Sequence, residues 1–155
     1  MFKFTVWLRI AQYTKEYKIF FLETISRWIF YRLCLKYSID FPISVKLGLG
    51  FKINHGMGLV VNSKATIGHN VDLSHSVTIA TEKGGTPIIG NNVRISPGAV
   101  IIGNVVLGNN IVVGANCVVV SDVPDKSVAV GIPNKNLGRS FEEFVDRNYF
   151  PVNIL

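Results

Sequence analysis

Aliphatic side chains return every six residues through the middle of the chain: Ile67, Leu73 and Ile79, then Ile89, Ile95, Ile101, Leu107, Val113 and Val119. A second series stands beside the first, at Ala65, Val71 and Val77, then Val93, Ala99, Val105, Ile111, Cys117 and Val123. Turn residues fill the gaps, as in Ile67-Gly68-His69-Asn70 and Leu107-Gly108-Asn109-Asn110. A period of six matches neither an α-helix nor an alternating hairpin ladder. It fits a triangular solenoid, in which each unit supplies one short strand and one corner and three units close a coil of about 18 residues. The larger aliphatic points into the prism, the smaller packs beside it, and Gly or Asn takes the unusual corner torsions. The expected class is therefore all-β, a parallel β-helix.

The phase slips once. Between Ile79 and Ile89 the spacing is ten, which places a four-residue insertion within residues 80–88. Its polar, glycine-rich content predicts a loop leaving the prism, either as part of a binding face or as a tolerated surface insertion. Upstream, apolar residues alternate through Leu47, Leu49, Phe51 and Ile53, carrying the coil back to about Ile39. Downstream, Val128-Ala129-Val130-Gly131-Ile132-Pro133 closes the last turn, with proline ending the ladder. Ser140 with Glu143 three residues on signals the start of a short C-terminal helix. Three parts result: a helical segment over 1–38, the β-helix over 39–135 and a cap over 136–155. The first is rich in Phe, Trp and Ile with recurring Lys and Arg. Two compatible roles are open to it: covering the open end of the prism, and lying on an anionic membrane surface.

Composition narrows the classes. Of 155 residues, 48% are apolar and 17% charged, which excludes a disordered chain. The formal charge of +6 is concentrated at one end. Residues 1–36 hold Lys3, Arg9, Lys15, Lys18, Arg27, Arg32 and Lys36 against Glu16 and Glu23, a net +5 that leaves +1 for the rest. A basic excess confined to one amphiphilic segment points to a membrane surface or an anionic ligand, and no nucleic acid partner is expected. No uncharged stretch approaches the ~20 residues that span a bilayer, and no small-residue cleavage site follows the apolar run, so no signal peptide is expected. Cys34 and Cys117 lie in unrelated segments and read as small hydrophobes of a reducing cytoplasm.

Only three histidines occur, all within residues 55–75. His55 stands six before Val61, where the pattern calls for an aliphatic residue, and Gly56 and Gly58 surround it. A histidine that breaks a local rule is either a satisfied core residue or a functional one. His75 lies 20 residues after His55, close to one coil, so the two should be neighbours on one side of the prism. His69 reads as a solvated turn residue on another face. With it out of reach, no metal site is expected.

Several stretches carry a resemblance beyond the repeat: Ile39-Asp40-Phe41-Pro42, Asn54-His55-Gly56-Met57-Gly58-Leu59-Val60-Val61, Leu73-Ser74-His75-Ser76-Val77-Thr78-Ile79, and Val130-Gly131-Ile132-Pro133-Asn134-Lys135. In order and spacing, residues 39–135 resemble the hexapeptide-repeat acetyltransferases, in the branch of serine O-acetyltransferases and of colanic-acid and capsule acetyltransferases. The resemblance implies a left-handed β-helix, a homotrimer with sites between subunits, and acetyl-CoA as donor. It makes His55 the catalytic base and Asp40, fifteen residues earlier, its orienting carboxylate. His75 becomes a candidate second catalytic or acceptor-binding residue. CoA contacts are implied near Ala80, Thr81, Pro97, Ala115 and Lys135.

Serine acetyltransferases carry an acidic residue where this chain has Asn54, a glutamate at Ser63 and a histidine at Thr86. Neutral groups at all three positions leave a zwitterion's charges uncompensated on desolvation. Asn54, Ser63 and Thr86 therefore point to a sugar acceptor, and the chain is expected to O-acetylate a sugar hydroxyl in polysaccharide biosynthesis. Serine O-acetyltransferase is the alternative. The short basic segment at the start agrees with an enzyme at the inner face of the membrane.

Overall fold

The computed structural model describes residues 2–82 and 84–137. The expected Ser140 helix lies outside the described residues.

Two helices lead, α1 (Phe2–Glu16) and α2 (Phe20–Tyr37). Phe4, Leu8 and Ala11, spaced to share one helical face, are fully buried. Between the helices Lys18 takes a positive φ of 52°, and α2 ends on Ser38, whose left-handed backbone turns its N–H back toward Cys34 and Leu35. The Thr14 and Ser26 hydroxyls join the two helices at 2.9 Å.

The prism follows as a left-handed parallel β-helix with three faces. The first holds β1 (Lys46–Leu47), β4 (Thr66–Ile67), β7 (Ile88–Ile89) and β10 (Val106–Leu107). The second holds β2 (Lys52–Ile53), β5 (Asp72–Leu73), β8 (Val93–Ile95), β11 (Ile111–Val113), β13 (Val128–Val130) and β14 (Lys135–Leu137). The third holds β3 (Val60–Val61), β6 (Thr78–Ala80), β9 (Val100–Ile102) and β12 (Val118–Val119). Both aliphatic series lie inside, none of their members more than 3% exposed. Corners stack as well. Asn70, Asn92 and Asn110 all have φ between 54° and 58°, and their amides bond in a file along one edge, Asn70 Nδ2 to Asn92 Oδ1 and Asn92 Nδ2 to Asn110 Oδ1.

Register fixes where the coils change length. Val61 pairs with Ile79, a spacing of 18, but Ile53 pairs with Leu73, a spacing of 20. The first corner between the second and third faces is thus two residues longer than the one stacked on it. Ile67 pairs with Ile89 and Ile79 with Ile101, both spacings of 22, which confirms the four-residue insertion after β6.

The open end is closed by α1, which settles one of the two readings of the N-terminal segment. Arg9 donates to the carbonyls of Leu47 and Gly48, and Gln12 to those of Val45, at 2.9 Å, and Ile43, at 3.3 Å. The first coil has no preceding strand to bond these oxygens, so the helix supplies the donors. Phe4, Phe30, Phe41 and Phe51 fill the seam, with ring centroids 5.1–6.3 Å apart. Two details depart from expectation. Leu49 is 63% exposed, because a turn and not an alternating strand follows β1. Pro133 does not end the ladder, because the chain reverses there and β14 pairs antiparallel with β13.

Candidate active site

His55 does not point into the prism. It sits on the lengthened corner with φ 51°, exposed to solvent. The core-residue alternative for His55 assumed coils of 18 residues, and with the two extra residues Ile53 and Leu59 are the ones in the core. His75, on the same corner one coil along, meets His55 edge-on, with ring centroids 6.5 Å apart and planes at 78°.

The backbone brings Asp40 to this corner. Asp40 forms a parallel bridge with Val60, donating to Leu59 O and accepting from Val61 N–H, both at 2.8 Å. Gly58 N–H bonds Ser38 O at 2.9 Å. Asp40 thereby lies on the edge of the third face, against the segment that carries His55 into β3. Its side chain is exposed, and among the described residues no hydrogen bond joins it to the His55 ring.

Bonds from Ser76 N–H to Met57 O, Gly98 N–H to His75 O and Asn116 N–H to Pro97 O align Met57, His75, Pro97 and Ala115 in a column along this edge. Two implied CoA contacts, Pro97 and Ala115, thus share an edge with both histidines. Ala80 and Thr81 do not. They lie at the far edge of the third face, where Asn62 Nδ2 bonds Thr81 Oγ1 at 3.4 Å and the inserted loop begins. Ser63 and Thr86 also belong to that far edge, and Lys135 is exposed on β14. Apart from Lys135, which lies on the second face, these residues form two groups on opposite edges of the third face. His69 joins neither: it lies in a turn on another corner, partly exposed, with its Nδ1 accepting the Leu49 N–H at 3.0 Å. Among the described residues no three His, Cys, Asp or Glu side chains converge as a metal site.

One residue escaped the sequence reading. Asn54 Nδ2 donates to both carboxylate oxygens of Asp72, at 2.8 and 2.9 Å, and Asp72 is only 3% exposed. A carboxylate therefore stands beside the position preceding His55, supplied by the next coil and not by residue 54 itself. The signal was available, since Asp72 follows Asn54 by 18 residues, one standard coil.

Residues 86–121 match the bacterial transferase hexapeptide (six repeats) family. Over 115 residues, 69% of this chain, it is 36% identical to the mitochondrial serine acetyltransferase 3 of Arabidopsis thaliana, covering 28% of that protein. It is 37% identical over 107 residues, 64% of this chain, to the serine acetyltransferase of Helicobacter pylori, covering 60% of it. Among solved structures, the Neisseria gonorrhoeae serine acetyltransferase is similar with a TM-score of 0.74 and 33% identity, over 86% of this chain and 53% of that one. A serine acetyltransferase in complex with CoA is similar with a TM-score of 0.73 and 26% identity, over 84% of this chain and 54% of that one. The chain thus spans less than two-thirds of the length of these relatives. They overturn the expectation of a sugar acceptor and of the polysaccharide branch. Neutral side chains at Asn54, Ser63 and Thr86 do not by themselves exclude a serine acceptor, since charge near a solenoid position can also come from the adjoining coil, as Asp72 does beside Asn54.

Proposed function

We propose that the chain, which matches the bacterial transferase hexapeptide family over residues 86–121, is an acyltransferase that moves the acetyl group of acetyl-CoA to the hydroxyl of serine. The observation that carries this reading is the solvent-facing His55 on the lengthened corner, with His75 and the Asp40 strand around it, in a coil stack similar to solved serine acetyltransferases. Neutral His55 takes the hydroxyl proton as the serine oxygen attacks the thioester carbonyl. The tetrahedral intermediate then collapses, the C–S bond breaks, and the proton passes to the departing thiolate, giving O-acetylserine and CoA. Asp40 orients the imidazole and balances the cation that develops on it, and His75 braces the ring from the next coil. Met57, Pro97 and Ala115 offer a largely apolar edge along which the donor's pantetheine arm lies. The two separated groups support a homotrimer, in which the histidine edge of one protomer meets the loop edge of the next and brings Ala80, Thr81, Ser63 and Thr86 to the site.

Release of free CoA thiol from acetyl-CoA, with and without serine, tests the reading. Serine-dependent release is expected, lowered on the order of 10²–10⁴ in His55→Ala with acetyl-CoA affinity retained. Absence of serine-dependent release overturns it.

The other reading of the basic segment passes to α2. No helix among the described residues is long and apolar enough to cross a membrane. Phe21, Ile25, Trp28 and Leu35 are nevertheless 41–75% exposed, with the Arg32 guanidinium 5.8 Å from the Trp28 ring centroid. Aromatic side chains framed by Arg27, Arg32 and Lys36 suit the headgroup layer of an anionic bilayer, and we assign α2 that role. Co-sedimentation with phosphatidylglycerol vesicles, but not with phosphatidylcholine vesicles, is expected. Failure to sediment with either overturns the assignment.

A further inference from the structure

We infer that Asp72, acting through Asn54, is a positioning residue for His55, so that the pair clamps the lengthened corner in the conformation the proposed acetyl transfer needs. The inference rests on the reading of His55 given above.

The corner needs an anchor that its coil does not supply. Farther along this edge the corners at 74–76, 96–98 and 114–116 are equal in length and stack residue on residue. The corner at 54–58 has two residues more than the corner at 74–76, so part of it has no counterpart to rest on. His55 also holds φ 51°, in the left-handed region that a residue with a Cβ occupies at a cost of about 1–2 kcal/mol. A long corner with a strained residue at its apex relaxes unless both ends are fixed. On the far side Gly58 is tied to Ser38 O. On the near side residue 54 is tied twice, its backbone N–H to Leu73 O at 2.8 Å and its amide to both oxygens of Asp72.

The second tie is unusual for its place. Asp72 is a strand residue on the outer surface of the second face, yet it is 3% exposed. Its strand partners are Lys52 on one side and Arg94 on the other. A carboxylate taken out of water is costly unless bonded, and a charge-assisted bond is about twice as strong as a neutral one. Asn54 adjoins His55 in the chain, so any rotation about this tie swings the imidazole directly. Misplacement by about 1 Å costs on the order of 100-fold in rate.

The experiment compares Asn54→Ala, Asp72→Ala, the double variant and Asp72→Asn, which keeps an oxygen to accept the Asn54 amide. Each single alanine variant is expected to lower kcat roughly 10–100-fold, with KM for acetyl-CoA within about twofold. The double variant should be no worse than the worse single one, because Asp72 acts through Asn54. Asp72→Asn should recover most of the wild-type kcat. Asn54→Ala lies at a half-buried corner outside the core and serves if Asp72→Ala fails to fold. A purely structural Asp72 would lower the melting temperature and leave kcat of the folded protein unchanged, and that result overturns the inference. Ring NMR reads the clamp without relying on turnover. The His55 resonance, assigned by its loss in His55→Gln, should shift alike in both alanine variants and no further in the double. An unmoved resonance overturns the clamp even where the wild type acetylates serine. A shifted resonance in a protein inactive on serine upholds the clamp and overturns only the proposed activity.

Discussion

Replacing Asn92 by alanine and, separately, by glycine isolates what the asparagine file contributes. Asn92 has φ 55°, accepts from Asn70 Nδ2 at 3.1 Å and donates to Asn110 Oδ1 at 3.0 Å. Both substitutions remove the two side-chain bonds, at about 1 kcal/mol each, and Asn70 loses a partner while only 6% exposed. Alanine adds the left-handed torsion, about 1–2 kcal/mol for a residue with a Cβ, which glycine escapes. The totals are about 3–4 kcal/mol for Asn92→Ala and about 2 kcal/mol for Asn92→Gly. Glycine should thus be the milder substitution, the reverse of its usual effect within a helix or strand. Urea unfolding at one fixed protein concentration, followed by circular dichroism, measures both, because association would otherwise shift the midpoint. Glycine destabilising more than alanine would refute the torsional argument and leave hydrogen bonding as the whole effect.

Asp40→Asn should lower kcat for serine acetylation less than His55→Ala does, and His75→Ala should also be milder, both read by CoA thiol release. Arg9→Ala deletes the donors to Leu47 and Gly48 carbonyls and should cost roughly 2–3 kcal/mol in thermal unfolding. The Cys34 thiol is pushed up to about 11, from an ordinary 9.0, chiefly by burial and further by the Asp40 charge. Between those values the unfolded thiol ionises while the folded one does not, so stability should fall as pH rises from about 9 to 11. Alkylation of native Cys34 should stay slow until the pH approaches about 11, as mass spectrometry of labelled protein can follow.

The hexameric rhythm made the core legible, because inward positions of a prism tolerate little besides aliphatic residues and both series were read correctly to the residue. The inserted loop was legible for the same reason, since a break in phase can be counted. The two-residue extension at 54–58 was not, because the glycines there gave the rhythm no marker to count, and the six-residue count alone left His55 open between core and surface. The return strand β14 was hidden too, since Lys135-Asn136-Leu137 has no pattern of its own and pairs only because the chain reverses after Gly131. At the candidate site, the neighbourhood of His55 and His75 could be read from their spacing. Asp72 beside Asn54 required the neighbouring coil to be consulted, and the neutral residues Asn54, Ser63 and Thr86 carried too little information to choose the acceptor.

The loop after β6 leaves and rejoins the prism without disturbing it: both strands that flank it advance by the same 22 positions, so everything beyond stays in step with everything before. Its length is therefore a free variable of the architecture. A longer or shorter segment grafted between Ala80 and Ile88 would leave the hydrophobic interior untouched, so that rim can vary while the scaffold stays constant.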